Sequence, residues 1–161
     1  MKRILFIFAN IMLCCIWISC SVKNSGSTVS QELGIDADGG SEILNYDTHS
    51  GNGDGISCIA MTFRDDNVLQ QIDNNSSWKE FPLDKAVETL VYGISNGDSS
   101  TGPFLTDNNG KTLVPQILNG YYILIDRQNS DAAILERKSF NLSLGLYDTD
   151  TKTLYFCKLD T

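Results

Sequence analysis

Hydrophobic positions change their spacing along the chain, and each spacing predicts a different element. Ile4 to Ile18 is nearly continuous apolar sequence, with Asn10 as the clear exception. From Ser21 to Gly55 large apolar residues thin out, apart from a short patch at Ile43, Leu44 and Tyr46. Ile56 to Phe63 is again apolar and reads as a first strand. Asp65 to Asn74 sets Val68, Leu69 and Ile72 on one helical face before the turn residues Asn74-Asn75-Ser76-Ser77. Leu83, Ala86, Val87, Leu90 and Val91 then follow the i, i+3, i+4, i+7, i+8 spacing of an amphipathic helix, with Gly93 where a terminating glycine belongs.

The second half alternates. Phe104-Leu105 and Thr112-Leu113-Val114 flank the turn sequence Asp107-Asn108-Asn109-Gly110, and Pro115 confines the second of these to a sheet edge. Asn119-Gly120 leads into Tyr121 to Arg127, where Tyr121, Ile123 and Ile125 alternate with Tyr122, Leu124 and Asp126. Gln128 to Arg137 is polar and reads as loop. Phe140, Leu142, Leu144 and Leu146 alternate with polar or small residues, the signature of a half-buried strand. Asp148 to Lys152 turns the chain, and Thr153 to Leu159 returns it. The expectation is an α+β domain with a mainly antiparallel sheet of about four to six strands, and two helices between the first strand and the rest.

Composition alters this picture at the amino-terminal end. Met1-Lys2-Arg3 before the apolar run makes a secretory signal, and the run's roughly 15 residues fall short of the ~20 needed for a membrane-spanning helix. Ser21 to Gly55 holds seven of the 13 glycines and six serines, which predicts a flexible tether with a reach of roughly 30 Å. The expected organisation is therefore a signal peptide over residues 1–19, a tether over 20–55 and one domain over 56–161. Twelve Lys and Arg against 20 Asp and Glu give a net charge of −8, which argues against nucleic acid as a partner.

Candidate chemistry is sparse. Gly93-Ile94-Ser95-Asn96-Gly97 spells the GxSxG of a nucleophile elbow, but a helix precedes it, and the single His, His49, lies upstream of the serine. Ser76-Ser77-Trp78-Lys79 fits SxxK without the further partners such enzymes need. Gly51 to Gly55 lacks the lysine and following helix of a phosphate loop, and no Asp/Asn run meets the ligand spacing of a calcium hand. Neither a metal nor a cofactor is expected. Cys58 and Cys157 stand near the two ends of the domain, either bridged, as export permits, or as two buried free thiols. Trp78, Tyr121 and Tyr122 are the candidates for a binding surface, against the alternative that they pack in the core.

Trp17-Ile18-Ser19-Cys20 resembles the lipobox of bacterial lipoproteins, in which a small residue precedes the cysteine that is acylated and becomes the new amino terminus. That resemblance implies lipid on Cys20 and attachment to a membrane through acyl chains, on the extracytoplasmic face. Without Lys2 and Arg3 the mature chain carries ten basic residues against 20 acidic ones, a net charge of −10, so anionic lipid heads would repel it. Further on, Gly102 to Asp107, Asn119 to Arg127, Ser139 to Leu142 and Leu146 to Thr161, with Trp78-Lys79 and Phe81-Pro82-Leu83 upstream, resemble an uncharacterised family of small exported or lipid-anchored proteins from gut Firmicutes. The resemblance implies location and brings no activity. The functional expectation is a non-catalytic binding or protective module with a protein or glycan partner. The alternative is a small extracytoplasmic enzyme using Asp126, Arg127 and a further carboxylate.

Overall fold

The computed structural model describes residues 25–161, so the signal segment and Cys20 lie outside the described residues. In chain order the elements are α1 (Ser25–Leu33), β1 (Ser41–Asp47), β2 (Gly55–Thr62), α2 (Asn67–Asp73), β3 (Lys79–Glu80), α3 (Lys85–Tyr92), the small hairpin β4 (Ile94–Asn96) and β5 (Ser99–Thr101), β6 (Gly120–Asp126), a 3-10 turn (Ile134–Glu136), β7 (Asn141–Asp148) and β8 (Thr153–Asp160). Six strands form one antiparallel sheet in the order β1-β2-β8-β7-β6-β3, so the fold is α+β. Of the three α-helices among the described residues, two fall between β2 and β6, while α1 precedes the sheet altogether.

Each face of the sheet has its own core. On one face, α3 sets Val87, Leu90 and Val91 against Cys58, Ala60, Leu142, Leu144, Leu146, Tyr155, Cys157 and Leu159, and the connecting segments add Leu105, Val114, Ile117 and Phe140. Asp84 begins this helix by accepting the Val87 N–H on Oδ1 at 3.0 Å, and Gly93 ends it at φ 75°. On the other face, Val29 and Leu33 of α1 and Val68 and Ile72 of α2 pack with Ile35, Ala37, Met61, Phe63, Trp78, Ile123, Tyr147, Leu154 and Phe156.

Two expectations are corrected here. Residues 25–47 are not a flexible tether. Val29 and Leu33 lie one turn apart and reach the core together with Ile35 and Ala37, while Gly26 lets the helix approach the Asp38 backbone to about van der Waals contact. Serines and glycines that lowered the mean hydropathy serve as close-packing and capping positions: Ser30 Oγ donates to Gly26 O and accepts the Ala37 N–H, at 2.7 and 2.8 Å. β1 joins the sheet as an edge strand, with Leu44 against the core and Ile43, 59% exposed, at the bulge between Glu42 and Leu44. Nor is β7 half-buried. Its polar-side positions Ser143 and Gly145 are covered as fully as Leu144 and Leu146, because α1 and Trp78 roof the second face.

Phe104 to Val114 forms a tight turn held by one Thr106–Thr112 bridge, with Asp107 Oδ1 accepting the N–H groups of Asn109 and Lys111. Cys58 and Cys157 stand directly opposite in the β2–β8 ladder with their Cα atoms 4.1 Å apart, joined in a disulfide.

Candidate functional site

Beyond β3, the chain runs along the sheet edge as Phe81-Pro82-Leu83 before entering α3, and the Phe81 N–H donates to Gly120 O at 2.9 Å. Across from it, residues 115–120 return toward β6. Tyr92 pins this return: its hydroxyl donates to Pro115 O at 2.8 Å and accepts the Ile117 N–H at 3.1 Å. On the far side, Asn119 O accepts from the Thr149 N–H and Oγ1 at 3.2 and 3.1 Å, and Asn119 Nδ2 donates to Asp150 at 3.0 Å. Ile117 is buried between these anchors, and Leu118 is left 76% exposed.

Two depressions of about 180 Å³ each flank that leucine. Phe81, Pro82, Leu83, Glu88, Tyr92, Gln116, Ile117 and Leu118 line one. Glu80, Phe81, Leu118, Asn119, Gly120, Tyr121 and Thr149 line the other, so Phe81 and Leu118 belong to both. A larger open depression of about 770 Å³ lies beside α2 between Asp36 and Ser76. Its polar groups are largely spent on the local fold: Gln71 Oε1 accepts the Asp36 N–H, Asn74 Nδ2 donates to Gln70 O, and Asn75 Oδ1 accepts the Ser77 N–H. The surface around Leu118 is therefore the stronger candidate, since an apolar group held in water is what association can use.

Of the three aromatic residues offered as candidates for a binding surface, only Tyr121 lines a depression beside Leu118. Trp78 is 7% exposed and Tyr122 3%, and they belong to opposite cores. Tyr122 is held by Phe81 packed edge-on at 6.0 Å and by Asp84, whose N–H its hydroxyl accepts at 3.2 Å. Leu118 and Tyr92 were not singled out by the sequence. The available signal was the apolar pair Ile117-Leu118 before the Asn119-Gly120 turn, of which only one member can face inward.

The structure does not bring Asp126 and Arg127 into one cleft. Asp126 pairs with Arg137 at 2.6 Å, while Arg127 reaches Glu32 of α1 and donates to Ser143 Oγ at 2.8 Å. The GxSxG serine, Ser95, lies exposed in the β4–β5 hairpin. Among the described residues no group of three or more His, Cys, Asp and Glu side chains is placed to hold a metal ion.

His49 instead clasps the β1–β2 turn to the end of β8. Nδ1 lies 2.6 Å from Asp47 and Nε2 3.0 Å from Asp160, and only the doubly protonated ring donates to both. Burial works against that charge, but the bonds to Asp47 and Asp160 outweigh it and hold the His49 pKa above 6.5. The His49 backbone N–H and then its ring hold Asp47 below 3.8, with a smaller attraction from Lys158. The histidine's contribution to stability is complete below about pH 6.5 and is lost as pH rises through the folded value. That of Asp47 is present above about pH 3.8 and is lost as pH falls through its folded value. The stability advantage of the native chain over His49→Gln, from urea unfolding, should therefore shrink as pH rises above about 6.5. A difference that stayed constant with pH would contradict the clasp.

No protein-family model, curated protein or solved structure matches the chain.

Proposed function

We propose that the chain is a lipid-anchored extracytoplasmic binding module, held to a membrane by acyl chains on Cys20 and engaging its partner through the surface around Leu118. The observation that carries the binding part is a 76% exposed leucine fixed between two pinned backbone segments and flanked by two depressions that share Phe81 as a wall. A lone exposed leucine is ordinary. One that cannot turn inward, beside Phe81, Pro82 and Tyr92, forms a pre-ordered apolar patch. Confinement to a bilayer would raise the local concentration of a module whose own contacts are weak.

The anchor rests on the basic start, the apolar run and Ser19-Cys20. Because α1 begins at Ser25, the five residue steps from Cys20 span at most about 18 Å, well short of the reach expected of a long tether. The module would ride against the membrane. Cys20→Ala should move the protein from the membrane fraction to the soluble fraction and abolish incorporation of labelled palmitate. Continued membrane fractionation of that variant, or absence of label in the native protein, would overturn the lipid attachment.

A further inference from the structure

We infer that the surface around Leu118 takes an extended peptide bearing apolar side chains flanked by Lys or Arg; this rests on the binding-module reading above. Size comes first. At about 180 Å³ each, the depressions fall below the 300–1,000 Å³ of typical cofactor or small-molecule sites, and suit single side chains. Spacing follows. They share the walls Phe81 and Leu118, so they are neighbours, and one extended chain can cross both with alternate side chains projecting toward them.

Charge selects the flanking residues. Glu88 lines the first depression and Glu80 the second, both exposed, and neither forms an ion pair among the described residues. The nearby cation Lys79 is already engaged, 3.6 Å from Asp84 and over the Tyr122 ring at 5.7 Å. A chain of net charge −8 adds a long-range field of the same sign. Little ordering is needed on this side of the contact, because Phe81, Tyr92, Thr149 and Asp150 already hold the 115–120 segment. Ile43, the other large exposed apolar residue, sits in an edge-strand bulge and lines neither depression.

The test uses the purified full chain and a synthetic octapeptide with leucines at its third and fifth positions and lysines at its second and seventh. One control replaces the lysines by glutamates, and the other replaces the leucines by serines. Binding is read from amide chemical shifts. The lysine–leucine peptide is expected to move the resonances of Leu118, Tyr121 and Glu88, with Leu118→Asp weakening it about tenfold or more. Glu80→Lys with Glu88→Lys should invert the preference between the lysine and glutamate peptides. Substitution at so exposed a leucine leaves the fold intact, which the remaining spectrum verifies. Equal binding of the lysine and glutamate peptides, or no shift at millimolar peptide, would overturn the inference. Two further outcomes would overturn it while leaving the module reading standing. One is sedimentation of the chain with phosphatidylcholine–phosphatidylglycerol vesicles that Leu118→Asp abolishes, the other a self-associated chain that Leu118→Asp makes monomeric. If Leu118→Asp changes nothing in any arm, both readings fall.

Discussion

Trp78→Ala is expected to destabilise the domain by about 3–5 kcal/mol, the usual cost of truncating a buried tryptophan. Its ring roofs β7 where Gly145 leaves room. A Cβ on Gly145 would lie 2.8 Å from Trp78 Cη2, 2.9 Å from Ile123 Cγ2 and 3.0 Å from Leu33 Cδ1. Two of those neighbours yield little, since the indole is rigid and Ile123 is β-branched. Gly145→Ala is therefore expected to cost about 1–3 kcal/mol by overpacking. The two sites should couple. Trp78→Phe removes the atom nearest the added methyl and also a buried Nε1–H without a hydrogen-bond partner, so it should be milder than Trp78→Ala and should partly rescue Gly145→Ala. Urea midpoints of the four variants measure this. A loss below about 1 kcal/mol for Trp78→Ala would mean that the second core does not close over β7 as described.

Replacing both Cys58 and Cys157 by alanine is expected to cost about 2–5 kcal/mol. The bridge spans a sequence separation of 99 residues, for which chain entropy alone gives a stabilisation of about 4.7 kcal/mol. Both residues are fully buried, with Tyr46 opposite Cys58 and Leu144 opposite Cys157 in the flanking ladders, so alanine is preferable to serine, which would bury two hydroxyls. Without reductant, the native chain should weigh less than its reduced form by the mass of two hydrogens, and its denaturation midpoint should fall on reduction toward that of the double variant. Two alkylatable thiols in the protein purified without reductant would show that the bridge does not form.

How much of this was legible in the sequence follows from how strongly each segment repeats its pattern. α3 could be read because five apolar residues fall on one face and Gly93 closes it. β2, β6, β7 and β8 could be read because each is long and ends at Gly or Asp-rich turns. α1 could not, since only Val29 and Leu33 mark its face and the residues between them look like linker. β1 is an edge strand that buries little, and β3 is two residues long, too short to carry a period. Alternation in β7 was visible, but not that the second face is covered, because the covering residues come from α1 and Trp78, far away in the chain. For the same reason the sequence left Trp78 and Tyr122 open between a binding surface and the core, where both lie. The patch around Leu118 stayed hidden because its walls come from three separated segments, brought together by the β3–β6 pairing and the Tyr92 hydroxyl.

The covalent link between β2 and β8 has one more consequence. It encloses every element from α2 through β7, including the exposed β4–β5 tip and the exposed stretch around Asp131, the kind of site where proteases cut first. A nick at either place would sever the backbone without releasing a fragment, since both pieces remain joined through sulfur and through the central ladder. In the presence of proteases, such a molecule keeps its two cores assembled after its chain has been cut.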